Sequence, residues 1–287
     1  MNQSALILLG VTLVWGTTFP LLKSATADLN GVEISTFRFV LAAVCLSPFL
    51  LKAPRHAWAD GILLGILGLA SYVTQAYGLQ HISANRSAFL TSLNVLIVPF
   101  LGLLCGARLS WPALLAALLA CAGIGLMSWE DGGNLRGDAA TLACAFAYAL
   151  YVMLLSQRSN RHDARHLAAT QIAVMAVLAA LWTLLQSVGN GTLATLPARV
   201  APHMGTLLYL GVCATAGMIF LQALAQRHVP ANKAAVILAM EPVFAALFGW
   251  IWLNELLGWR GIAGGALVIG AIILSEMHAA ATRRQAE

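Results

Sequence analysis

One acidic residue, Glu241, stands in the middle of an apolar run that spans residues 231–253. Pro242 follows it directly and cannot donate a backbone hydrogen bond, so a carbonyl one turn earlier, near Leu238, is freed. If the run crosses a bilayer, a carboxylate at that depth costs about 2.5–3.5 kcal/mol, and residues of this kind usually face a cavity or a pathway. A carboxyl beside an open carbonyl suits two kinds of chemistry. It can hold a cation or an amine, and, because burial disfavours its charged form, it can carry a proton. The plainer use is a protonated acid that bonds within a helix bundle.

A second mid-run polar residue bears on the choice. HISANRSAFL begins at His81 and HVPANKAAVI at His228, and the likeness extends upstream to Gln75-Ala76 and Gln222-Ala223. Residues 75–88 and 222–235 share six identities in fourteen positions. A repeat of this kind is read before other features, because it sets the architecture. At this offset the counterpart of Glu241 is Asn94, with Thr91 and Ser92 a turn away. Two polar residues at equivalent depths point to one shared cavity. Gln75 and Gln222 form a second related pair near helix ends, placed to gate two mouths or simply to bond across helices. Trp15 and Tyr148 lie mid-run in their own segments, where aromatic faces can hold an apolar side chain or an ammonium group. Tyr72, Tyr77, Trp182, Phe244 and Trp250 fit lipid contact or packing better. Trp58, Trp111 and Trp259 fall at run ends, where interface anchoring suffices.

These residues need elements to position them, and composition says which. The chain is 60% hydrophobic and 9% charged, against about 25% charged in an ordinary soluble domain. A soluble core cannot enclose that much apolar surface. Runs long enough to cross a bilayer fall at 4–22, 34–51, 59–80, 84–105, 111–128, 138–156, 167–188, 204–225, 231–253 and 259–277. The expected fold is all-α, a membrane protein of ten transmembrane helices. The connector 130–134 divides them into sets of five, giving units at 1–130 and 137–280, and a small polar loop is expected around 189–202. The N-terminal run lacks a basic lead and a cleavage site, so it reads as a retained first span.

Cations in short loops favour the cytoplasm. With the N-terminus inside, ten Lys and Arg lie in inner loops and the tail, and five lie outside: Lys23, Arg86, Arg136, Arg199 and Arg260. Both termini are therefore expected in the cytoplasm. Because five is odd, the second set enters from the opposite face, which makes the halves inverted repeats, an arrangement on which many transporters are built.

Stretches of the sequence also resemble a known family. MEPVFAALFGWIWLNELLGWRGIAGGALVIGAIILSE at 240–276 is similar to the last two helices of EamA-type transporters, of the drug/metabolite transporter superfamily. LVWGTTFPLLK at 13–23 and FRFVLAA at 37–43 match the start of that pattern. The resemblance implies ten helices in two inverted units, a central cavity, and export of amino acids or related metabolites. Arg108 departs from the pattern, standing where the first unit often carries an acid like Glu255.

Arg38 has two possible uses. It can meet a substrate carboxylate, or it can snorkel outward toward Glu33 or Asp28, which suits a long side chain near a span end better. Gly61, Gly65 and Gly68 read as close helix contact. The five cysteines sit in apolar runs without a CxxC pair and read as buried small hydrophobes. HDARH at 162–166 has a metal-capable spacing without a third ligand, so it reads as a cationic anchor; no metal and no cofactor are expected. There is no nucleotide-binding or hydrolase motif, so the expectation is a gradient-driven secondary transporter and not an enzyme.

It is expected in the inner (plasma) membrane, as a monomer or homodimer. Its partners are a small-molecule substrate, the lipid bilayer and protons as the candidate coupling ion, with no nucleic acid. The expected site is Trp15, Asn94, Tyr148, Glu241, Gln75 and Gln222, with Glu241 also the proton carrier. The rivals are a carrier for a quaternary amine or polyamine and, further off, a membrane-embedded enzyme using His81, His228 or the HDARH loop.

Overall fold

The computed structural model describes residues 3–82, 84–104, 111–127, 134–253 and 258–286. Arg108, Glu255, Cys105 and residues 130–133 of the expected connector lie outside them. The described residues form helices joined by short turns, with no strand among them. Among the described residues eight stretches are long and apolar enough to cross a membrane, and two shorter apolar segments, Leu114–Gly123 and Ile262–Ala271, accompany them.

In chain order the helices are α1 (Gln3–Ala25), α2 (Gly31–Leu50), α3 (Arg55–His81), α4 (Ala84–Ser92), α5 (Asn94–Leu104), α6 (Trp111–Met127), α7 (Leu135–Arg158) and α8 (Ala164–Gly189). Then come α9 (Leu196–Val200), α10 (Met204–Leu208), a π-helical segment (Tyr209–Gly217), α11 (Met218–Ala225), α12 (Ala231–Leu238), α13 (Glu241–Leu253) and α14 (Trp259–Ala286).

Starts are set by side chains that satisfy orphan N–H groups. Asn30 accepts from the N–H groups of Val32 and Glu33, while Glu33 reaches back to the Asn30 N–H at 2.9 Å, a reciprocal cap that opens α2. Asn134 accepts from the N–H groups of Arg136 and Gly137 at the start of α7, and Asp163 from that of Arg165 at the start of α8, each without the reciprocal bond.

Small residues then allow close packing, as expected for α3. A Cβ at Gly61 would meet Thr170, and one at Gly65 would meet Gln171 and Val174, so both positions seat α8 against α3. Helices α2 and α8, α3 and α7, α1 and α13, and α6 and α14 also pair.

Ionic contacts collect at two ends. At one, Arg86 pairs with Asp138 at 2.6 Å, Arg199 with Glu33 at 2.6 Å, and His203 with Asp28 at 2.8 Å. There too the Lys23 amine donates to the Leu79 and Ile82 carbonyls at the end of α3, where a cation favours the helix dipole. At the other end Asp60 binds Arg158 and His162, and Arg227 donates to the His162 carbonyl.

Several expectations need correction. The runs 84–105 and 231–253 remain long and apolar enough to cross, but each is interrupted, the first at Leu93 and the second at Ala239-Met240, where Pro242 was expected to kink it. The expected polar loop near 189–202 contains short helical turns, and its Arg199 and His203 are the partners of Glu33 and Asp28. Of the four described cysteines only Cys144 is buried, while Cys45 and Cys213 lie on the surface and Cys121 is half-buried.

Candidate functional site

The two breaks lie 147 residues apart, at the repeat offset, and each is followed by the polar residue singled out above. Asn94 opens α5 and Glu241 opens α13. After Leu238 the chain turns once, with the Met240 N–H on the Ile237 carbonyl, and Pro242 then has no N–H to continue the earlier ladder. Glu241 is thereby delivered to the bundle interior, 7% exposed, and among the described residues no hydrogen bond reaches its side chain.

Glu241 faces a narrow cavity of about 30 Å³ lined by Trp15, Thr18, Arg38, Ser71, Tyr72, Gln75, Thr91 and Tyr148 as well. Helices α1, α2, α3, α4, α7 and α13 each contribute. Four of the six expected site residues therefore meet: Trp15, Tyr148, Gln75 and Glu241. Gln222 lines an adjoining cavity with Trp15, Tyr72, Tyr148 and Tyr151, and its amide donates to the Tyr148 hydroxyl at 3.2 Å. Asn94 is buried but does not line either cavity. Its Nδ2 donates to the Thr91 carbonyl at 2.8 Å, and among the described residues its Oδ1 has no partner.

Trp15 is fixed from two sides. Its indole N–H donates to the Ala214 carbonyl at 2.8 Å, and its ring meets Tyr148 edge-on at 6.1 Å. Ala214 belongs to the π-helical segment, where the Thr215 hydroxyl donates five residues back, to the Leu210 carbonyl, at 2.7 Å. Wide helical turns of this type often mark functional positions. At Gly211 a Cβ would meet the Arg38 carbonyl and Leu41, so glycine here lets the segment lie against α2.

Arg38 overturns the snorkelling expectation. The Asn30–Glu33 cap starts α2 at Gly31, so Arg38 sits about two turns deep, and Glu33 and Asp28 are already paired with Arg199 and His203. Arg38 is 2% exposed, donates from Nε to Thr215 Oγ1 at 2.9 Å, and places its guanidinium 4.4 Å from the Tyr72 ring centre. Tyr72, expected to serve packing or lipid contact, is likewise a lining residue. The missed signal was depth: a cation two turns inside a span whose nearest acids have other partners. Tyr77, Trp182 and Trp250 are surface aromatics, in keeping with lipid contact.

The EamA-like transporter family matches residues 2–129 and, again, 135–277. The chain belongs to that family. Among similar proteins, an uncharacterized transporter of Archaeoglobus fulgidus is 29% identical over 279 residues, covering 93% of this EamA-like chain and 84% of its own. A probable terminal-alkyne amino-acid exporter of Streptantibioticus cattleyicolor is 26% identical over 293 residues, covering 98% and 95%. A crystal structure with 19% identity aligns with a TM-score of 0.74 over 96% of this chain and 98% of that one, a likeness of fold. The family and these relatives are transporters, so the EamA-like chain is a multi-pass membrane protein whose business is moving a small molecule.

Proposed function

We propose that this protein is a secondary active transporter exporting an amino acid or amino-acid-like metabolite across the inner membrane by alternating access. One observation carries the reading: a carboxylate, Glu241, and the aromatic rings of Trp15 and Tyr148 meet in a cavity bounded by helices of both family-matched halves. The name of the Streptantibioticus cattleyicolor relative adds support for the cargo.

The architecture in this reading is ten spans in two inverted five-helix repeats, 1–130 and 137–280, with both termini cytoplasmic. The double family match and the equivalent breaks at Leu93 and Met240 support it. The two shorter apolar segments lie in α6 and α14, which pack together and supply the remaining crossings. A cavity of about 30 Å³ has room for a water or two and not for a metabolite. In this reading cargo enters when one end opens, and the ion pairs at the two ends are the contacts that such opening would break. Glu241 binds the cargo's amine or carries the coupling proton. Gln75 and Gln222 shape the walls toward the two ends, and Asn94 holds the first break.

The test is flux in inside-out vesicles or proteoliposomes, with and without a pH gradient, across an amino-acid panel. Glu241→Gln keeps the shape of the side chain and should abolish flux or its pH dependence while the protein stays folded. Unaltered pH-dependent flux by that variant refutes the assigned role.

A further inference from the structure

The cavity holds a second ionic group that faces Glu241 across the same space. Arg38 carries a delocalised guanidinium cation, yet it is 2% exposed, and among the described residues its one hydrogen bond runs from Nε to Thr215. Among the described residues its outer guanidinium nitrogens have no acceptor, and no ion pair joins it to a carboxylate. The acids within its original reach are engaged by Arg199 and His203.

Three contacts hold the guanidinium in place. Thr215 grips Nε and is itself fixed to the Leu210 carbonyl. The Tyr72 ring lies 4.4 Å away and the Phe39 ring 5.8 Å away, so the cation is steadied on aromatic faces. What remains open is the fork of two terminal nitrogens, the part of arginine that matches a carboxylate with two parallel hydrogen bonds. A buried charge without a counter-charge is costly, and a bound anion relieves that cost.

We propose that Arg38 is the carboxylate subsite of the cavity, so that the cargo is a zwitterion whose carboxylate binds Arg38 and whose ammonium faces Glu241. The proposal rests on the transport reading and narrows it. A quaternary amine or a polyamine would satisfy Glu241 and the aromatic rings but would meet the Arg38 charge repulsively. An anion lacking an amine would be repelled by an ionised Glu241. An α-amino acid satisfies both, with its side chain against Trp15, Tyr72 and Tyr148. Thr215 and Tyr72 are positioning residues in this scheme.

The experiment compares matched probes on the purified full-length chain in detergent: L-leucine, L-methionine and L-phenylalanine, their methyl esters, their N-acetyl derivatives, choline and spermidine. The readout is ligand-induced thermal stabilisation, followed by counterflow of the best probe in proteoliposomes. The wild-type protein should bind at least one free amino acid ten-fold or more tighter than its methyl ester and its N-acetyl form. Arg38→Gln should erase the preference for acid over ester while leaving the preference for free amine over N-acetyl. Arg38→Lys should retain part of the acid preference.

If the ester binds as well as the acid, or choline or spermidine binds best, the proposal falls and transport itself stands. Retention of the acid preference by folded Arg38→Gln overturns it as well. The acid-to-ester ratio on the wild-type protein needs no variant, so a variant that fails to fold leaves the decision intact. Absence of binding by every free amino acid also overturns the proposal, and counterflow of choline or spermidine in the same vesicles then shows whether transport survives.

Discussion

The indole of Trp15 does two separable things, and a pair of variants resolves them. Trp15→Phe keeps a ring against Tyr148 but deletes the N–H that donates to the Ala214 carbonyl at 2.8 Å. That carbonyl belongs to Ala214, a fully buried residue within the π-helical segment. Hydrogen bonds between helices in membranes measure about 0.6–2 kcal/mol, so Trp15→Phe should cost about 1–2 kcal/mol. Trp15→Ala also removes a side chain that is 6% exposed in the main packed cluster. Truncations of this size cost about 3–5 kcal/mol, which leaves about 1–4 kcal/mol between the two variants. Unfolding by SDS in mixed detergent micelles measures the difference. Cargo-induced stabilisation provides the second axis. The Phe variant should hold cargo within a few-fold of wild type, and the Ala variant should lose cargo binding more steeply than stability. Equal losses of stability in the two variants would refute the hydrogen-bond argument. Full cargo binding by Trp15→Ala would make the ring a packing group and nothing more.

Three further outcomes follow from named contacts. Asp60→Asn weakens the grip on Arg158 and His162 together; because the Arg158 side chain is 33% exposed, the loss should be about 1–3 kcal/mol instead of the larger value of a fully buried pair, read by SDS unfolding. Gly16→Ala puts a Cβ 2.5 Å from Phe244 Cβ and 3.0 Å from the Ala245 nitrogen, so it should wedge α1 from α13, cost about 1–3 kcal/mol and slow flux, whereas Gly10→Ala meets nothing within 4 Å and should be neutral or slightly stabilising. The Arg165 guanidinium beside Asp163 holds that carboxyl down at about 2. Its folded pKa is depressed, so its contribution to the start of α8 is present above the ordinary carboxylate range and is lost only as pH falls through about 2. Amide exchange at 165–167 should therefore be flat in protection between pH 7 and 5, and a drop there would contradict the assignment.

Much of the site was legible because membrane burial makes polar residues conspicuous. Glu241, Gln75, Trp15 and Tyr148 stand out in apolar runs, and all four line the cavity. Arg38 was misjudged because its depth depends on where α2 begins. The Asn30–Glu33 cap sets that start, and Glu33 prefers Arg199, which lies 166 residues further along the chain. Tyr72 was misplaced for a related reason, since an apolar helix with low amphipathicity does not announce which face meets lipid and which meets a neighbour. Asn94 shares the depth of Glu241 by repetition, yet its side chain turns back to Thr91.

The sequence alone determined that the chain is helical and membrane-embedded, that it carries a repeated module, and that a few polar and aromatic residues lie at mid-depth. These follow from composition, run length and spacing, which are local along the chain. Tertiary structure decided where the runs break, that a π-helical segment receives both Trp15 and Arg38, and that a fixed cation shares the cavity with Glu241. Those outcomes depend on partners up to 199 residues apart competing for the same donors and acceptors, and such competition is settled only when the helices pack.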